Sequence, residues 1–196
     1  MKKIFLALTI LVLTFSTQII ADTSNSIQRI YEGNKDAKVT IITYESLTCG
    51  HCADFHKNIY PQLKKEFIDA GLVKIEFRHF PLDMAALNAS KIAQCNNDGK
   101  SDLLHFLFSN QKKWAIGETV ETANENLKKL LKDENIVIDF EKCTNNKKIE
   151  DYVLNDRIEG VKKFKVNATP TIIINNKKFD KSLNYKNLKK SIEKLI

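Results

Sequence analysis

Residues 39–55 read VTIITYESLTCGHCADF: a β-branched run leads directly into Cys49, Gly50, His51 and Cys52, and a helical pattern follows. Two cysteines separated by two residues at the start of a helix favour sulfur chemistry over packing as their purpose. The same spacing also occurs in metal sites. The rest of the chain therefore has to distinguish a redox pair from a pair of metal ligands.

The residues on either side of this motif predict the first half of an α/β sheet. Residues 27–31 predict a short strand, and the run from residue 39 predicts a longer one. Apolar residues then recur at every fourth position across residues 52–67, which predicts one face of a helix kinked at Pro61. Residues 73–79 alternate between apolar and charged side chains, the period of a strand.

The second half of the chain predicts a helical block followed by a hairpin and a helix. Residues 83–165 are helical in pattern, with breaks that predict four or five helices. Residues 171–174 predict a strand, and Asn175-Asn176 can supply the positive φ angles of a tight hairpin. Residues 185–195 predict a final helix. The predicted fold is an α/β sheet carrying an inserted helical subdomain.

The first residues have the pattern of a secretory leader. Two lysines precede an apolar stretch over residues 4–15, and Ala21 offers a small residue at a cleavage site. We predict a signal peptide over residues 1–21, a mature chain from residue 22 and a periplasmic location. The net charge is +7, or +5 without Lys2 and Lys3. Because the lysines are scattered, we interpret them as a solvated surface and not as a nucleic-acid site.

The chain resembles bacterial DsbA-type thiol-disulfide oxidoreductases of the thioredoxin superfamily. The resemblance rests on the Cys49–Cys52 motif after a strand, on FRHFPL at residues 77–82 and on NATPTIIINNKKF at residues 167–179. It implies a thioredoxin fold whose first half spans residues 22–82 and whose second half spans residues 166–196, with residues 83–165 inserted. It also implies that Pro170 is a cis-proline beside the active-site disulfide, preceded by Thr169.

The resemblance implies an exported enzyme that introduces disulfide bonds into secreted or periplasmic proteins. Its partners would be reduced or misfolded exported proteins and a quinone-linked, DsbB-like membrane oxidoreductase that reoxidises it. An isomerase or reductase on the same fold is the alternative, since Thr169 is closer to what disulfide isomerases carry at that position. We predict no cofactor and no bound metal.

Cys49 is the predicted nucleophile of the redox pair. Its place at a helix start, where unpaired amide N–H groups favour negative charge, should lower its pKa to roughly 3.5 to 6. His51 can add positive charge or a hydrogen bond to the same sulfur. Cys52 is the predicted partner of Cys49 in the active-site disulfide and resolves mixed disulfides. Thr169 and Pro170 complete the predicted site.

Two points stay open from the sequence. Cys49, His51, Cys52 and His56 are four possible metal ligands, although structural zinc sites usually draw their ligands from two separated segments, which favours a redox pair. A non-enzymatic metal-binding protein is therefore the weakest alternative.

The second point is the proton acceptor for Cys52. Relatives often carry a buried acid six residues before the first cysteine, where this chain has Thr43; its nearest acid is Glu45.

Cys95 and Cys143 are the two remaining cysteines, and they fall on different predicted helices of the insertion. Two interpretations are possible: a structural disulfide that joins those helices, or two unrelated buried thiols. An oxidising compartment favours the disulfide. His79 and His105 are expected to be packing residues of a strand and a helix, and His56 an ordinary helix-face residue.

Overall fold

The computed structural model describes residues 26–196, and the predicted signal peptide lies outside that range. Five strands form one mixed sheet in the order β1-β3-β2-β4-β5, in which β2 and β3 are parallel and the other neighbours are antiparallel. The predicted α/β architecture is confirmed. The strands are β1 (Tyr31–Gly33), β2 (Val39–Glu45), β3 (Val73–His79), β4 (Thr171–Ile174) and β5 (Lys177–Lys178).

The first strand begins later than the sequence predicts. Residues 27–30 were expected to be part of it, but their backbone pairs partly with the helical insertion instead of the sheet. The Gln28 N–H donates to Asn97 Oδ1 at 2.5 Å, and the Gln28 carbonyl accepts from Gln94 Nε2 at 2.7 Å. Only Ile30 extends toward β3, where its carbonyl accepts from the Phe77 N–H. The sheet pairing proper therefore starts at Tyr31.

Strand β2 lies at the centre of the sheet and is buried along nearly its whole length. Its side chains alternate between two cores, as the period of a strand requires. Val39 and Ile41 pack in the larger core, whereas Ile42 and Tyr44 pack in a smaller one on the opposite face. Helices cover both faces, which explains the continuous apolar run in the sequence.

The active-site helix is broken where the sequence predicts a kink. Helix α1 (Gly50–Asn58) begins directly after Cys49, and helix α2 (Tyr60–Leu63) follows with Pro61 in its first turn. Proline is tolerated there because the N–H that it lacks would have no partner in the helix. A π-helical turn, Lys64–Ile68, then leads to β3.

Six helices separate β3 from β4, more than the four or five predicted. The predicted breaks at residues 96–100, 117 and 133–135 fall between helices, but asparagines add two further breaks. Asn110 donates to the Phe106 carbonyl, and Asn146 accepts from the backbone of Ile149. The helices are α3 (Met84–Gln94), α4 (Asp102–Ser109), α5 (Gln111–Trp114), α6 (Val120–Asp133), α7 (Phe140–Thr144) and α8 (Lys147–Phe164).

Helix α8 lies close against the sheet. A Cβ at Gly160 would stand 2.8 Å from the Tyr44 ring, so only glycine allows this approach. The chain ends with the hairpin, where Asn175 and Asn176 have the predicted positive φ values of 44° and 65°, and with helix α9 (Tyr185–Ile192). Within residues 26–196, no helix combines the length and the apolar character needed to cross a bilayer.

Candidate active site

Cys49 is the residue that caps the N-terminus of α1. Its backbone is extended, with φ −79° and ψ 118°, and its carbonyl accepts from the Cys52 and Ala53 N–H groups at 3.1 and 3.2 Å. Cys49 is half-buried and Cys52 is fully buried, and both are free thiols in the structure. The helix start therefore leaves one sulfur accessible to a substrate and encloses the other.

The loop before β4 lies against the accessible sulfur. The Thr169-Pro170 peptide bond is cis, and Cys49 Sγ donates to the Thr169 carbonyl at 3.3 Å. Thr169 Oγ1 is buried and has no hydrogen-bond partner of its own among residues 26–196. Its hydroxyl is therefore available to the Cys49 sulfur. The fold thus brings together two segments that lie 120 residues apart.

A glutamine of the insertion holds the loop before α1 in place. Gln111, at the start of α5, donates from Nε2 to the carbonyls of Leu47 at 2.8 Å and Cys49 at 3.0 Å. Sequence reasoning did not identify Gln111, because no local motif marks a residue that acts 62 positions away. The loop is fixed further by Thr48, whose hydroxyl donates to Asp83 Oδ2 at 2.7 Å.

The two thiols have opposite pKa shifts. A hydrogen bond from the Cys52 side chain, aided by the Thr169 side chain and by the backbone N–H groups of Cys52 and His51, outweighs burial and lowers the pKa of Cys49 to about 5. Burial, the Cys49 sulfur and the negative charge of Glu45 raise the pKa of Cys52 above its ordinary value. Near neutral pH, Cys49 is a thiolate nucleophile and Cys52 retains its proton.

His51 is exposed at the start of α1. Its side chain lines a cleft of about 540 Å³ together with Thr169 and Pro170. The Cys52 side chain is the main cause of the lowered pKa of Cys49; His51 contributes through its backbone N–H, and its ring is not among the main causes. The cleft places an apolar surface beside the reactive sulfur, since Phe55 and Ile59 also line it.

The four possible ligands near the motif do not converge. Among residues 26–196, no three His, Cys, Asp or Glu side chains are arranged to hold a metal ion. The His56 ring is occupied elsewhere: Nε2 lies 2.9 Å from Glu45 Oε2, and Nδ1 lies 2.9 Å from His105 Nδ1. His56 was expected to be an ordinary helix-face residue and His105 a packing residue, but both belong to a polar chain.

Glu45 is a buried acid close to the motif, four residues before Cys49. It is 4% exposed, and its Oε1 atom has no hydrogen-bond partner within the described part of the chain. Thr43, at the position where relatives often carry an acid, is also buried, and its hydroxyl reaches only the Glu76 carbonyl, at 3.5 Å. Because a strand has a period of two, the two side chains point to the same face of β2.

The second cysteine pair is bonded in the structure. Cys95 and Cys143 form a disulfide with their Cα atoms 5.6 Å apart. Cys95 ends α3 and Cys143 lies in α7, so the bond joins two helices of the insertion. It lies apart from the free thiols of Cys49 and Cys52 in the sequence, and those two remain the only unbonded cysteines of residues 26–196.

We expect alkylation of Cys49 to report its lowered pKa. Since only the thiolate reacts, the rate with iodoacetamide should rise with a midpoint near pH 5 and stay constant from pH 7 to pH 8. Mass spectrometry of the modified peptide checks that Cys49 and not Cys52 reacts first. A midpoint near the ordinary thiol value of 9.0 would contradict the electrostatic description of the site.

Comparisons with known proteins agree with this geometry. The sequence profile of the family described as Thioredoxin matches residues 25–194. The crystal structure of Wolbachia pipientis alpha-DsbA1 superposes with a TM-score of 0.74 at 30% identity, covering 85% of this chain and 90% of that one. The structure of BdbD from Bacillus subtilis superposes with a TM-score of 0.67 at 27% identity, with 85% and 91% coverage.

Two relatives with names based on disulfide chemistry align over much of the chain. Disulfide bond formation protein D of Bacillus subtilis is 28% identical over 176 residues, which are 83% of this chain and 74% of that protein. A Rickettsia bellii relative, provisionally named a protein-disulfide oxidoreductase, is 29% identical over 147 residues. That alignment spans 73% of this chain but 55% of the relative, so the chain corresponds to about half of the Rickettsia protein.

Proposed function

The chain belongs to the DsbA family of the thioredoxin superfamily, and from this we propose that it is an exported thiol-disulfide oxidoreductase that introduces disulfide bonds into other proteins. The observation that carries the proposal is the pair of opposite pKa shifts. Cys49 is held as a thiolate with a pKa of about 5, whereas Cys52 is held as a buried thiol. A stabilised thiolate favours the reduced enzyme and makes its disulfide a stronger oxidant.

The reaction proceeds by two thiol-disulfide exchanges. A substrate thiolate attacks the Cys49 sulfur of the Cys49–Cys52 disulfide, forming a mixed disulfide while Cys52 leaves and takes up a proton. A second substrate thiolate attacks the substrate sulfur of the mixed disulfide and expels Cys49 as a thiolate. The substrate loses two electrons and gains one disulfide, and the enzyme is left as a dithiol.

The roles of the surrounding residues follow from their contacts with Cys49. The Thr169 carbonyl and hydroxyl stabilise its thiol and thiolate forms respectively. Pro170 and His51 line the cleft in which an extended substrate would lie. The proposed partners are reduced exported proteins and a quinone-linked, DsbB-like membrane protein that restores the disulfide. The proposed location is the periplasm, reached by secretion through the predicted leader over residues 1–21.

The direction of electron flow can be tested through the reduction potential. We expect Cys49–Cys52, equilibrated with glutathione, to have a potential above about −200 mV, toward the value of about −120 mV of the strongest oxidant of this superfamily. One equivalent of the oxidised enzyme should also be sufficient to oxidise a reduced model protein. A potential near the value of about −270 mV of thioredoxin would instead support a reductase. Isomerase or reductase activity is the second candidate, favoured by Thr169 before the proline.

The same pKa shift makes the stability of the reduced protein depend on pH. The Cys49 thiol has an ordinary pKa of 9.0 when unfolded and about 5 when folded, so its contribution is complete above pH 9 and is lost as the pH falls through 5. Because Cys49 is only half-buried, solvent screening reduces this contribution to about 1 to 2 kcal/mol at pH 7. The oxidised form has no titrating Cys49. Lowering the pH from 7 to 4 should therefore destabilise the reduced form relative to the oxidised form by that amount.

A further inference from the structure

A continuous hydrogen-bonded chain of side chains runs from β2, the strand before the motif, through α1 and α4 to β1. It consists of Glu45, His56, His105 and Glu32, and we refer to it as the Glu45–Glu32 chain. Glu45 Oε2 lies 2.9 Å from His56 Nε2, and His56 Nδ1 lies 2.9 Å from His105 Nδ1. His105 Nε2 lies 2.7 Å from Glu32 Oε1. Each ring uses both of its nitrogens.

The two ends of this chain have different access to solvent. The side chains of Glu45 and His56 are 3% and 4% exposed, whereas those of Glu32 and His105 are 14% and 22% exposed. Glu32 and His105 line an open cleft of about 740 Å³. The Glu45–Glu32 chain therefore connects the interior beside the motif with solvent.

The number of protons in the chain follows from its donors and acceptors. An ionised carboxylate only accepts, so each end of the chain needs an N–H from the neighbouring ring. The two Nδ1 atoms face each other at 2.9 Å, and a hydrogen bond between them requires one proton. Filling all three hydrogen bonds takes three protons, whereas two neutral imidazole rings supply two. With both carboxylates ionised and both rings neutral, the chain is one proton short.

The missing proton can come from Cys52. Its side chain is buried in the larger core, on the face of β2 to which Glu45 points, and it lies one helical turn before His56 on α1. The charge of Glu45 is also among the causes that raise the pKa of Cys52. Glu45 Oε1 is buried and unpartnered in the described part of the chain, while Oε2 is held by His56. One oxygen is thus free to accept a proton, and the other is already in the chain.

We propose that the Glu45–Glu32 chain carries the proton that Cys52 gains or loses during disulfide exchange. This inference rests on the proposed function of the Cys49–Cys52 pair. When Cys52 attacks a mixed disulfide at Cys49, its proton passes to Glu45. Successive transfers through His56 and His105 then release one proton to solvent in the cleft that His105 and Glu32 line, while the electrons move only among the sulfur atoms. In the opposite direction, when Cys52 is expelled as a thiolate, a proton enters from that cleft at His105.

The groups around the chain favour release at the Glu32 end. Burial disfavours the Glu32 carboxylate, but hydrogen bonds outweigh it and hold the pKa of Glu32 well below its ordinary range. Glu32 therefore stays ionised and accepts the hydrogen bond of His105, from which the proton passes to solvent in the cleft. Other charged and polar groups face both ends of the chain. At the Glu45 end, His79 lies opposite Glu45 on β3. Around Glu32 lie Tyr60, Lys64 and Ser101, with Asp69 and Asp102 beyond them.

A stopped-flow experiment with one equivalent of the aromatic disulfide dithiobis(nitrobenzoate) separates the two cysteines. The Cys49 thiolate attacks first and releases one coloured thiolate. Cys52 then attacks the resulting mixed disulfide, releases a second and must lose its proton. We expect Glu45→Gln to leave the first phase unchanged and to slow the second about 100-fold, and His105→Gln to slow the second at least about tenfold, the range for a positioned proton acceptor.

The direction of the Glu45→Gln effect separates proton transfer from electrostatics. Removing the negative charge of Glu45 lowers the pKa of Cys52, which by itself would speed the second phase. Only the loss of a proton acceptor slows it. His79→Gln is the matched control, since it also removes a buried imidazole, one bonded to Gln94 outside the chain. It should leave the second phase unchanged.

Each outcome bears on a different claim. An unchanged or faster second phase in Glu45→Gln overturns the proton pathway, and an unaffected His105→Gln overturns the pathway beyond Glu45. Equal slowing by His79→Gln assigns the effect to general loss of packing and likewise overturns it. If the wild-type protein lacks the fast first phase, the proposed function itself fails. Urea unfolding of each variant verifies that the compared proteins are folded.

Discussion

Replacing Cys49 with serine is expected to abolish disulfide transfer, with a loss of at least about 10³-fold in the oxidation rate of a reduced model protein. A hydroxyl in that position does not ionise near neutral pH, and it leaves Cys52 without a partner for a disulfide. Cys52 cannot substitute for it, because its sulfur is fully buried and its pKa is raised. The measurement is the rate at which a reduced, unfolded substrate loses its free thiols.

Cys52→Ser is the matched variant, and it should behave differently. Cys49 keeps its place at the start of α1 and its hydrogen bond to the Thr169 carbonyl. The Cys49 thiolate should therefore attack a disulfide of a substrate protein and displace one substrate thiolate, and the mixed disulfide should persist because the resolving thiol is missing. Non-reducing electrophoresis should show covalent complexes that reductant releases. If Cys49→Ser oxidised the substrate at the wild-type rate, the assignment of the nucleophile would be wrong.

Removing the Cys95–Cys143 disulfide should cost about 4 kcal/mol in the free energy of unfolding. The bond closes a loop with a sequence separation of 48, and the chain-entropy relation gives that magnitude for such a loop. The double variant Cys95→Ala/Cys143→Ala is preferable to a single one, because it leaves no unpaired thiol that could exchange with Cys49. Urea unfolding, with the linear extrapolation applied to both proteins, measures the difference.

The wild-type protein supplies its own control for this result. Reducing the Cys49–Cys52 pair selectively with a mild thiol, before unfolding, separates the effect of the active-site disulfide from that of Cys95–Cys143. A cost below about 1 kcal/mol would mean that the helices of the insertion hold together without the bond. The first phase of the reaction with the aromatic disulfide should be unchanged in the double variant, since neither residue touches Cys49.

Local patterns predicted the elements that depend on neighbouring residues. The alternation over residues 73–79 and the β-branched run from residue 39 identified β3 and β2, and the asparagine pair at residues 175–176 identified the hairpin. The predicted number of helices in the insertion was wrong because Asn110 ends α4 and Asn146 begins α8 through hydrogen bonds of their own. Asparagine within a helical pattern is ambiguous until those partners are known.

Long-range contacts within the site could not be predicted. His56 and His105 are 49 positions apart, and His105 and Glu32 are 73 apart, so nothing in the sequence near any one of them indicates the others. A histidine four residues after Cys52 has the same local pattern whether it faces solvent or a buried acid. Glu45 was named from the sequence as the nearest acid, and the two-residue period of β2 places it on the same face as Thr43.

Gln111 makes the reactivity of Cys49 depend on folding equilibria far from the motif. Its side chain bonds the carbonyls of Leu47 and Cys49 from α5, so any opening of that part of the insertion also releases the segment that carries the nucleophile. Backbone amides on both sides of this link should then exchange with solvent as one cooperative unit. We therefore expect the insertion and the redox motif to open together as one cooperative unit.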